Sequence, residues 1–163
     1  MKEIHEIMIK DPITIANNAT ISDAINLFST HRVGCLPVVD PSGKLVSFLS
    51  DGDVINFLAR RTKQQDRVPT IFHAAADQQP DNFMQLDSGI YSELEKISVL
   101  HCATKYVQYA YPEDNLAQIA TLMDNRRLKH IPIVDRDSKQ IIGLLARRDI
   151  VLSFFDVLSS TEA

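Results

Sequence analysis

The chain has 163 residues, of which 45% are hydrophobic, and carries a formal net charge of -4. This length suits one ordinary core or two small cores that support each other. The acidic balance argues against a protein built to bind nucleic acid, and no apolar run approaches the ~20 residues of a membrane span. The amino terminus also lacks the apolar core of a secretory signal, so we expect a soluble protein in the cytoplasm.

The two cysteines, Cys35 and Cys102, lie far apart and form no CxxC or Cys/His cluster. This usage fits a reducing compartment and two free thiols better than a disulfide or a zinc site. We therefore predict that both thiols belong to the core and take part in no chemistry.

The chain states one pattern twice. Leu-Pro-Val-Val-Asp at 36–40 returns as Ile-Pro-Ile-Val-Asp at 131–135, which is 95 residues later. Asp53, at the end of Ser-Asp-Gly-Asp, returns as Asp149, which is 96 residues later. Such self-similarity predicts two copies of one supersecondary unit, each able to bury only part of its apolar surface alone.

In the first copy, the order strand, helix, strand, strand, helix is predicted. A short alternating strand at 13–15 is followed by a helix that begins with a capping box formed by Thr20 and Asp23. Its apolar residues recur at helical spacing and are Ile21, Ala24, Ile25 and Phe28.

Two further strands of the first copy, at 36–39 and 45–49, flank a Pro/Gly turn at 40–43. Pro37 is expected at a strand start or a sheet edge, because proline cannot donate to a ladder. A closing helix follows from Val54.

The second copy repeats the helical stripe, with Leu116, Ile119, Ala120 and Met123 at the same offsets. Its closing helix, at 150–155, is apolar on too many faces for a solvated helix. We expect that helix to pack against the other copy or against another chain.

Residues 62–99 match neither copy, and we predict a long excursion with short helical pieces. Ser92 and Glu95 form a capping box that predicts a helix leading into the second copy. The apolar residues of this helix are Leu94, Ile97 and Val99. Connections this long are uncommon in compact domains unless they bind, cover or regulate something. A tolerated surface insertion and a lid or partner-docking segment both remain open.

These ordered elements resemble the CBS domain, the cystathionine β-synthase type motif. The matching residues are Met-x-x-x-Pro-x-Thr-Ile at 8–15, Gly-Cys-Leu-Pro-Val-Val-Asp at 34–40, Gly-Lys-Leu-Val at 43–46 and Ser-Asp-Gly-Asp at 50–53. Their recurrence resembles a tandem CBS pair, also called a Bateman module. The resemblance implies an α/β (α+β) fold with repeats at 1–61 and 100–163. Two β-α-β-β-α repeats would pack sheet to sheet with pseudo-twofold symmetry and leave two clefts.

The resemblance also implies a regulatory ligand, an adenine derivative such as AMP, ADP, ATP or S-adenosylmethionine, with a cyclic dinucleotide as a further candidate. It assigns Asp53 to the ribose hydroxyls and Ser50 to phosphate. Physical chemistry makes the same demand, because a carboxylate accepts from both hydroxyls and amides at a helix start favour an anion. The residues implied beside the base are Thr14, Ile15, Cys35, Leu36 and Pro37.

The corresponding second-copy residues are Tyr109, Ile131 and Asp149. Tyr109-Ala110 stands where the first copy has Thr14-Ile15, so the base-binding wall of the second site departs from the family pattern. One strong site per chain is therefore expected rather than two equal sites.

The element Ser50-x-x-Asp53 has a second interpretation, a capping box that begins the helix at Val54. The second copy keeps Asp149 but carries Ala146 in place of Ser50. A ribose-binding role tolerates that loss and a purely capping role does not, so the repeat favours ribose binding.

Basic residues are concentrated in the second copy, at 126–130 and at Arg147 and Arg148. In CBS pairs of the kinase-regulating type, basic residues just before the Leu-Pro-Val strand contact phosphates, a role that maps to Lys129 and His130. All four side chains are expected to converge on a phosphate chain. The alternative is a solvated basic face.

Catalysis finds little support, because the chain has no GKS/T phosphate loop, no GxSxG elbow and no HExxH. Asp51 and Asp53 are expected to point to different faces, whereas paired-carboxylate chemistry needs them aimed together. The leading hypothesis is therefore an adenine-nucleotide sensor, and not an enzyme, that reports to an effector protein in trans because no effector domain is attached.

The alternative hypothesis is a nucleotide-independent homodimeric scaffold. A single-strand nucleic-acid binder is disfavoured by the acidic charge. A homodimer is expected in either case, because the carboxyl-terminal helix would leave a large apolar patch on a monomer. That patch comprises Phe154, Phe155, Val157 and Leu158.

Overall fold

A computed structural model describes residues 3–64 and 92–159, the side chains at 61–64 and 155–159 excepted. Its elements in chain order are α1 (Ile4–Ile7), β1 (Ile9–Lys10), β2 (Ile15–Ala16), α2 (Ile21–His31), β3 (Cys35–Val39), β4 (Leu45–Ser50), α3 (Asp51–Gln64), a 3-10 turn (Val99–His101), α4 (Leu116–Asn125), β5 (His130–Val134), β6 (Ile141–Ala146) and α5 (Arg147–Ser159). The predicted order is confirmed. The first strand of the second copy is reduced to a bridge between Ala110 and Ile133.

Helix α2 begins at the predicted capping box. The Asp23 amide donates to Thr20 Oγ1 at 3.2 Å, and the Thr20 amide donates to Asp23 Oδ2 at 2.8 Å. These bonds favour the ionised carboxylate, so they lower the pKa of Asp23. The predicted stripes of α2 and α4 face the two cores, where the fully enclosed members are Ile21, Ala24, Leu116, Ile119 and Met123.

Each copy contributes two antiparallel strands to a three-stranded sheet, in the orders β2-β3-β4 and β1-β6-β5. The registers of the two hairpins agree, because Pro37 lies opposite Phe48 and Pro132 lies opposite Leu144. The two hairpins therefore have the pseudo-twofold correspondence expected of a repeat.

The third strand of the second sheet comes from the other end of the chain. Strand β1 lies near the start of the first copy but pairs with β6 of the second, where Ile9 lies opposite Leu144. Thr104, near the start of the second copy, pairs in turn with Phe48 of β4 through two backbone hydrogen bonds of 2.8 and 3.2 Å. The leading segments, residues 3–10 and 92–104, are thus exchanged between the copies.

The two hydrophobic cores follow the same exchange. Ile4 of α1 is buried in the core of the second copy. Leu94 and Val99 are buried in the core of the first copy. Neither copy completes its core with its own leading segment, so the two copies fold as one unit.

Pro37 lies in the middle of β3, the central strand, and not at a strand start or sheet edge as predicted. Two features make this position acceptable. The pairing of β2 with β3 begins only at Val38, beyond the proline. On the other side, the amide and carbonyl of Phe48 bond Thr104 instead of Pro37. No ladder bond is therefore lost at the proline.

The helix predicted from Ser92 to Val99 is not continuous. Residues 92–94 are helical, a turn follows at 95–96, and a 3-10 turn begins at Val99. Beyond this turn, Ser98 bridges to Thr20, and its hydroxyl accepts from the Leu100 amide at 3.2 Å. The other helical pieces predicted for the insert fall at 65–91, outside the described residues. Within the described parts of the chain, no helix has the length and apolar character needed to cross a membrane.

Gly143 of β6 lies directly beneath the Met8 side chain of the exchanged segment. A Cβ at this position would overlap Met8 Sδ and lie 3.1 Å from Met8 Cγ. We expect Gly143→Ala to destabilise the protein by about 1–3 kcal/mol, as overpacking does, measured by denaturant unfolding.

The same substitution is expected to be less destabilising in a Met8→Ala background, because the clashing side chain is gone. Gly52→Ala serves as a control, because its Cβ would make only an ordinary 3.6 Å contact with Ser50 Oγ and alanine favours the helix. Equal destabilisation by Gly143→Ala in both backgrounds would contradict this packing argument.

Candidate functional site

A cavity of about 550 Å³ opens between the two copies, within the range of small-molecule sites. We call it the inter-copy cavity. The first copy supplies Gly34, Phe48, Ser50, Asp51, Gly52 and Asp53. The second copy supplies Thr104, residues 106–108, residues 127–130 and Pro132. The bridge between Thr104 and Phe48 holds these two walls together.

The acidic wall is the junction of β4 and α3. Asp53 Oδ2 accepts from the Ser50 amide at 2.8 Å and from the Ser50 hydroxyl at 2.6 Å. The Asp53 amide donates to Ser50 Oγ at 3.2 Å, which completes a capping box. Oδ1 of Asp53 has no hydrogen-bond partner among the described residues. One carboxylate oxygen therefore maintains the helix start while the other can accept from a ligand.

The argument drawn from the replacement of Ser50 by Ala146 is wrong. In the second copy the Ala146 amide still donates to Asp149 Oδ2 at 3.1 Å, so the aspartate caps its helix without the serine. Retention of the acid is therefore compatible with capping alone. The two interpretations are also not exclusive, because capping occupies only one oxygen of Asp53.

Asp51 lines the same cavity as Asp53. It is the first residue of α3 and is exposed. The Gly52 amide donates to Asp51 Oδ1 at 2.7 Å, and the Asp51 amide donates to the Gly34 carbonyl at 3.0 Å. Two negative charges consequently stand on this wall.

The opposite wall offers unpaired backbone. Between the bridges at Thr104 and Ala110, residues 105–109 make no backbone hydrogen bond within the described chain. Tyr106, Val107 and Gln108 line the cavity. Because backbone amides and carbonyls demand partners when water is excluded, these groups can bind the polar edge of a ligand.

A basic loop, residues 127–130, completes that wall. Arg127, two residues beyond the end of α4, has the left-handed conformation (φ 52°), and Lys129 is exposed. Arg147 reaches the back of the loop, where its Nη2 donates to the Leu128 carbonyl at 2.8 Å. Arg147 thus holds the loop backbone and does not itself line the cavity.

His130 is half-buried at the start of β5, and this burial lowers its pKa below the ordinary value of 6.5. Asp149 and Asp51 act in the opposite direction, and Lys129 adds to the lowering. His130 thus lies within electrostatic reach of carboxylates from both copies.

Four of the predicted site residues meet at the cavity: Ser50, Asp53, Lys129 and His130. Ten do not line it: Thr14, Ile15, Cys35, Leu36, Pro37, Tyr109, Ile131, Arg147, Arg148 and Asp149. Ile15, Cys35, Leu36, Pro37 and Ile131 are buried. The sheet order explains why Thr14 and Ile15 are absent, because β2 and β4 lie on opposite sides of β3. The free side of β4 pairs instead with Thr104 of the second copy, which places Ser50 and Asp53 against that copy.

The residues that sequence reasoning missed are Asp51, Arg127 and the stretch 106–108. Arg127 belongs to the basic run noted in the sequence, so its position before β5 was a usable signal. The stretch 106–108 gave no such signal, because its role depends on backbone groups and not on side-chain type.

Neither cysteine is poised for chemistry. Burial, with a contribution from Asp51, raises the pKa of Cys35 to about 12, so its thiol stays neutral. Both thiols are free, as predicted. Groups of three or more His, Cys, Asp or Glu side chains arranged for a metal ion do not occur in the described segments.

Two β-α-β-β-α repeats with a shared cavity define the class of fold, and comparison identifies the family. The profile of the CBS domain matches residues 4–60 and 98–156. The chain therefore belongs to the CBS domain family and carries a tandem pair, which confirms the resemblance seen in the sequence.

The chain is similar to parts of longer proteins. It is 28% identical over 151 residues to inosine-5'-monophosphate dehydrogenase of Methanocaldococcus jannaschii, covering 93% of this chain and 23% of that enzyme. It is 26% identical over 145 residues to the chloroplastic protein CBSX2 of Arabidopsis thaliana, covering 89% of this chain and 59% of that protein. In the dehydrogenase, the matching CBS pair is thus a minor part of the chain.

Solved structures share the fold. CBSX2 in complex with AMP superimposes with a TM-score of 0.69 at 19% identity, covering 96% of this chain and 98% of that chain. The CBS domain pair of protein MJ0100, in complex with 5'-methylthioadenosine and S-adenosyl-L-methionine, gives a TM-score of 0.65 at 22% identity, covering 94% and 99%. These likenesses establish a CBS pair fold.

The environment of His130 predicts a dependence of stability on pH. Because its pKa is lower in the folded protein than in the unfolded chain, the unfolded chain binds the proton first as the pH falls through 6.5. Stability is therefore lost as the pH decreases below that value. Thermal unfolding at pH 7.5 and pH 5.5 is expected to show a smaller difference for His130→Asn than for the wild type. An unchanged difference would contradict this assignment.

Proposed function

We propose that the chain is a regulatory module that binds an adenine nucleotide in the inter-copy cavity and signals the bound state to a partner protein in trans. One observation carries this proposal. A carboxylate oxygen without a partner, unpaired backbone groups and a basic loop surround a single cavity of nucleotide size. These are the three kinds of group that a ribose, a base and a phosphate require.

The geometry suggests how each part of a nucleotide binds. Asp53 Oδ1 accepts from the ribose hydroxyls while Oδ2 maintains the cap. The backbone of 106–108 reads the edge of the base, and Pro132 offers an apolar surface beside it that carries no N–H to be left unpaired. Phosphate lies toward Lys129 and His130.

The solved neighbours support an adenosine ligand. CBSX2 binds AMP, and the MJ0100 pair binds 5'-methylthioadenosine and S-adenosyl-L-methionine, which share the adenosine unit. AMP is the first ligand to test, with ADP, ATP and S-adenosylmethionine as alternatives. Two free thiols fit the reducing environment of the cytoplasm.

The module is also proposed to act as a homodimer. Ile55 of α3 and Val151 of α5 occupy equivalent positions of the two copies and are 64% and 62% exposed. Leu152 and Phe154 of α5 are exposed as well. Equivalent apolar positions on the two closing helices form a surface that a twofold partner can cover. The other residues of the predicted patch, 155–158, have no described side chains.

The ribose assignment is tested at Asp53. Asp53→Asn is expected to weaken AMP binding by about 1.5–3 kcal/mol, the scale of a hydrogen bond to a charged group, measured by calorimetry. The deoxyribose analogue 2'-deoxy-AMP should bind the wild type more weakly than AMP does. In Asp53→Asn, the difference in affinity between the two ligands should be smaller.

Asp23→Asn is the matched control, because Asp23 forms the same capping box with Thr20 at the start of α2 but does not line the cavity. Equal AMP affinity of the wild type and Asp53→Asn would mean that Ser50-x-x-Asp53 serves only to cap the helix. A protein that binds none of the adenine ligands would favour the alternative, a nucleotide-independent homodimeric scaffold.

Sedimentation velocity at micromolar concentration tests the dimer. The wild type is expected to sediment as a dimer, and the double variant Ile55→Glu, Val151→Glu as a monomer, because a charge cannot be buried unpaired at the interface. Val46→Glu is the control, since Val46 of β4 is 40% exposed but lies outside the two helices. A stable wild-type monomer would remove the claim.

A further inference from the structure

The start of α3 has no free amide to offer an anion. A helix start ordinarily binds phosphate through such amides. Here the amides of Ser50, Asp51, Gly52 and Asp53 all have acceptors within the chain. These acceptors are Asp53 Oδ2, the Gly34 carbonyl, Asp51 Oδ1 and Ser50 Oγ. The expected helix-start contribution to phosphate binding is therefore already used within the chain.

The same helix start carries a negative charge into the cavity. The Asp51 carboxylate is exposed there, next to the four amides. Its charge acts on two groups of neighbouring elements. It raises the pKa of Cys35, as burial also does, and it raises the pKa of His130 against the effect of burial. The carboxylate thus exerts its field across the cavity toward the basic loop.

The charges that line the cavity are balanced. Asp51 and Asp53 oppose Arg127 and Lys129, while His130 has a lowered pKa and is mostly neutral near pH 7. A ligand with one phosphate can place that group against the basic loop. A longer phosphate chain adds negative charge that the described lining does not neutralise.

The second copy has the opposite charge at the equivalent helix start. Arg147 occupies the position of Asp51, 96 residues later, and Arg148 that of Gly52. The scaffold therefore accepts either sign at this position, and the acidic residue is not demanded by the fold.

The geometry points to Asp51 as the residue that restricts the inter-copy cavity to adenosine ligands with little phosphate, such as AMP, and disfavours ATP. This inference rests on the proposed nucleotide binding. It also changes the expectation drawn from the basic residues, which was that four basic side chains converge on a phosphate chain. Arg147 and Arg148, two of the four cations behind that expectation, do not line the cavity.

The test compares AMP with ATP by calorimetry, in low salt and without divalent cations so that ATP keeps its full charge. Asp51→Asn retains a side-chain oxygen for the Gly52 amide and removes only the charge. We expect it to raise the ratio of ATP affinity to AMP affinity about fivefold or more, and Asp51→Arg to raise it further. The increase should shrink at high salt, because the group is exposed.

Asp137→Asn is the control, because Asp137 is an exposed acid in the turn at the far end of β5 from the cavity. The ratio of ATP affinity to AMP affinity in Asp137→Asn should match that of the wild type. A wild type that binds AMP, with the same ratio in Asp51→Asn, would overturn this inference and leave the proposed function standing. A wild type that binds neither nucleotide would overturn both.

Discussion

The reciprocal pairing of the two leading segments is the interaction on which the rest of the molecule depends. Strand β1 completes the sheet of the second copy, and Thr104 extends the sheet of the first. The Ser47 hydroxyl adds a 2.7 Å bond to the Thr104 carbonyl from within the first core. This pairing brings the stretch 106–108 beside the start of α3 and so creates the cavity. Separation of the copies would remove both a sheet partner and half of the site.

The cavity exists where the sheets leave backbone unpaired. In a close-packed interior such groups would be costly, because each lost hydrogen bond is uncompensated. The central prolines reduce this cost, since Pro132 presents a ring without an N–H at the cavity edge while its carbonyl still accepts from the Ala110 amide at 2.9 Å. Polar backbone groups at 106–108 thus line the cavity, whereas the ring of Pro132 presents no N–H there.

Much of the fold was predictable because its signals are local. The spacing of Ile21 and Ala24, the capping box at Thr20 and the turn after Val39 each fix structure within a few residues. The composition of the site was less accessible, because it depends on which copy pairs with which leading segment. A sequence repeat predicts two similar units but does not show which segments pair with their strands. Ser50 and Asp53 were therefore matched with Thr14 and Ile15 of their own copy. Pro37 was misplaced for the same reason, since an exchanged strand opposite Phe48 cannot be inferred from local propensity.

The two copies cap the closing helix with the same bond but differ in the residue beside it. In both copies, the aspartate at the third position of the closing helix accepts a hydrogen bond from the amide three residues earlier, that of Ser50 or Ala146. The fold needs only that bond, so the residues between are free to vary in charge. One copy carries Asp51 there and directs it into a cavity, whereas the other carries Arg147 and uses it to hold the Leu128 carbonyl. The two copies therefore share the bond at the helix start, whereas the charge beside it is negative in one copy and positive in the other.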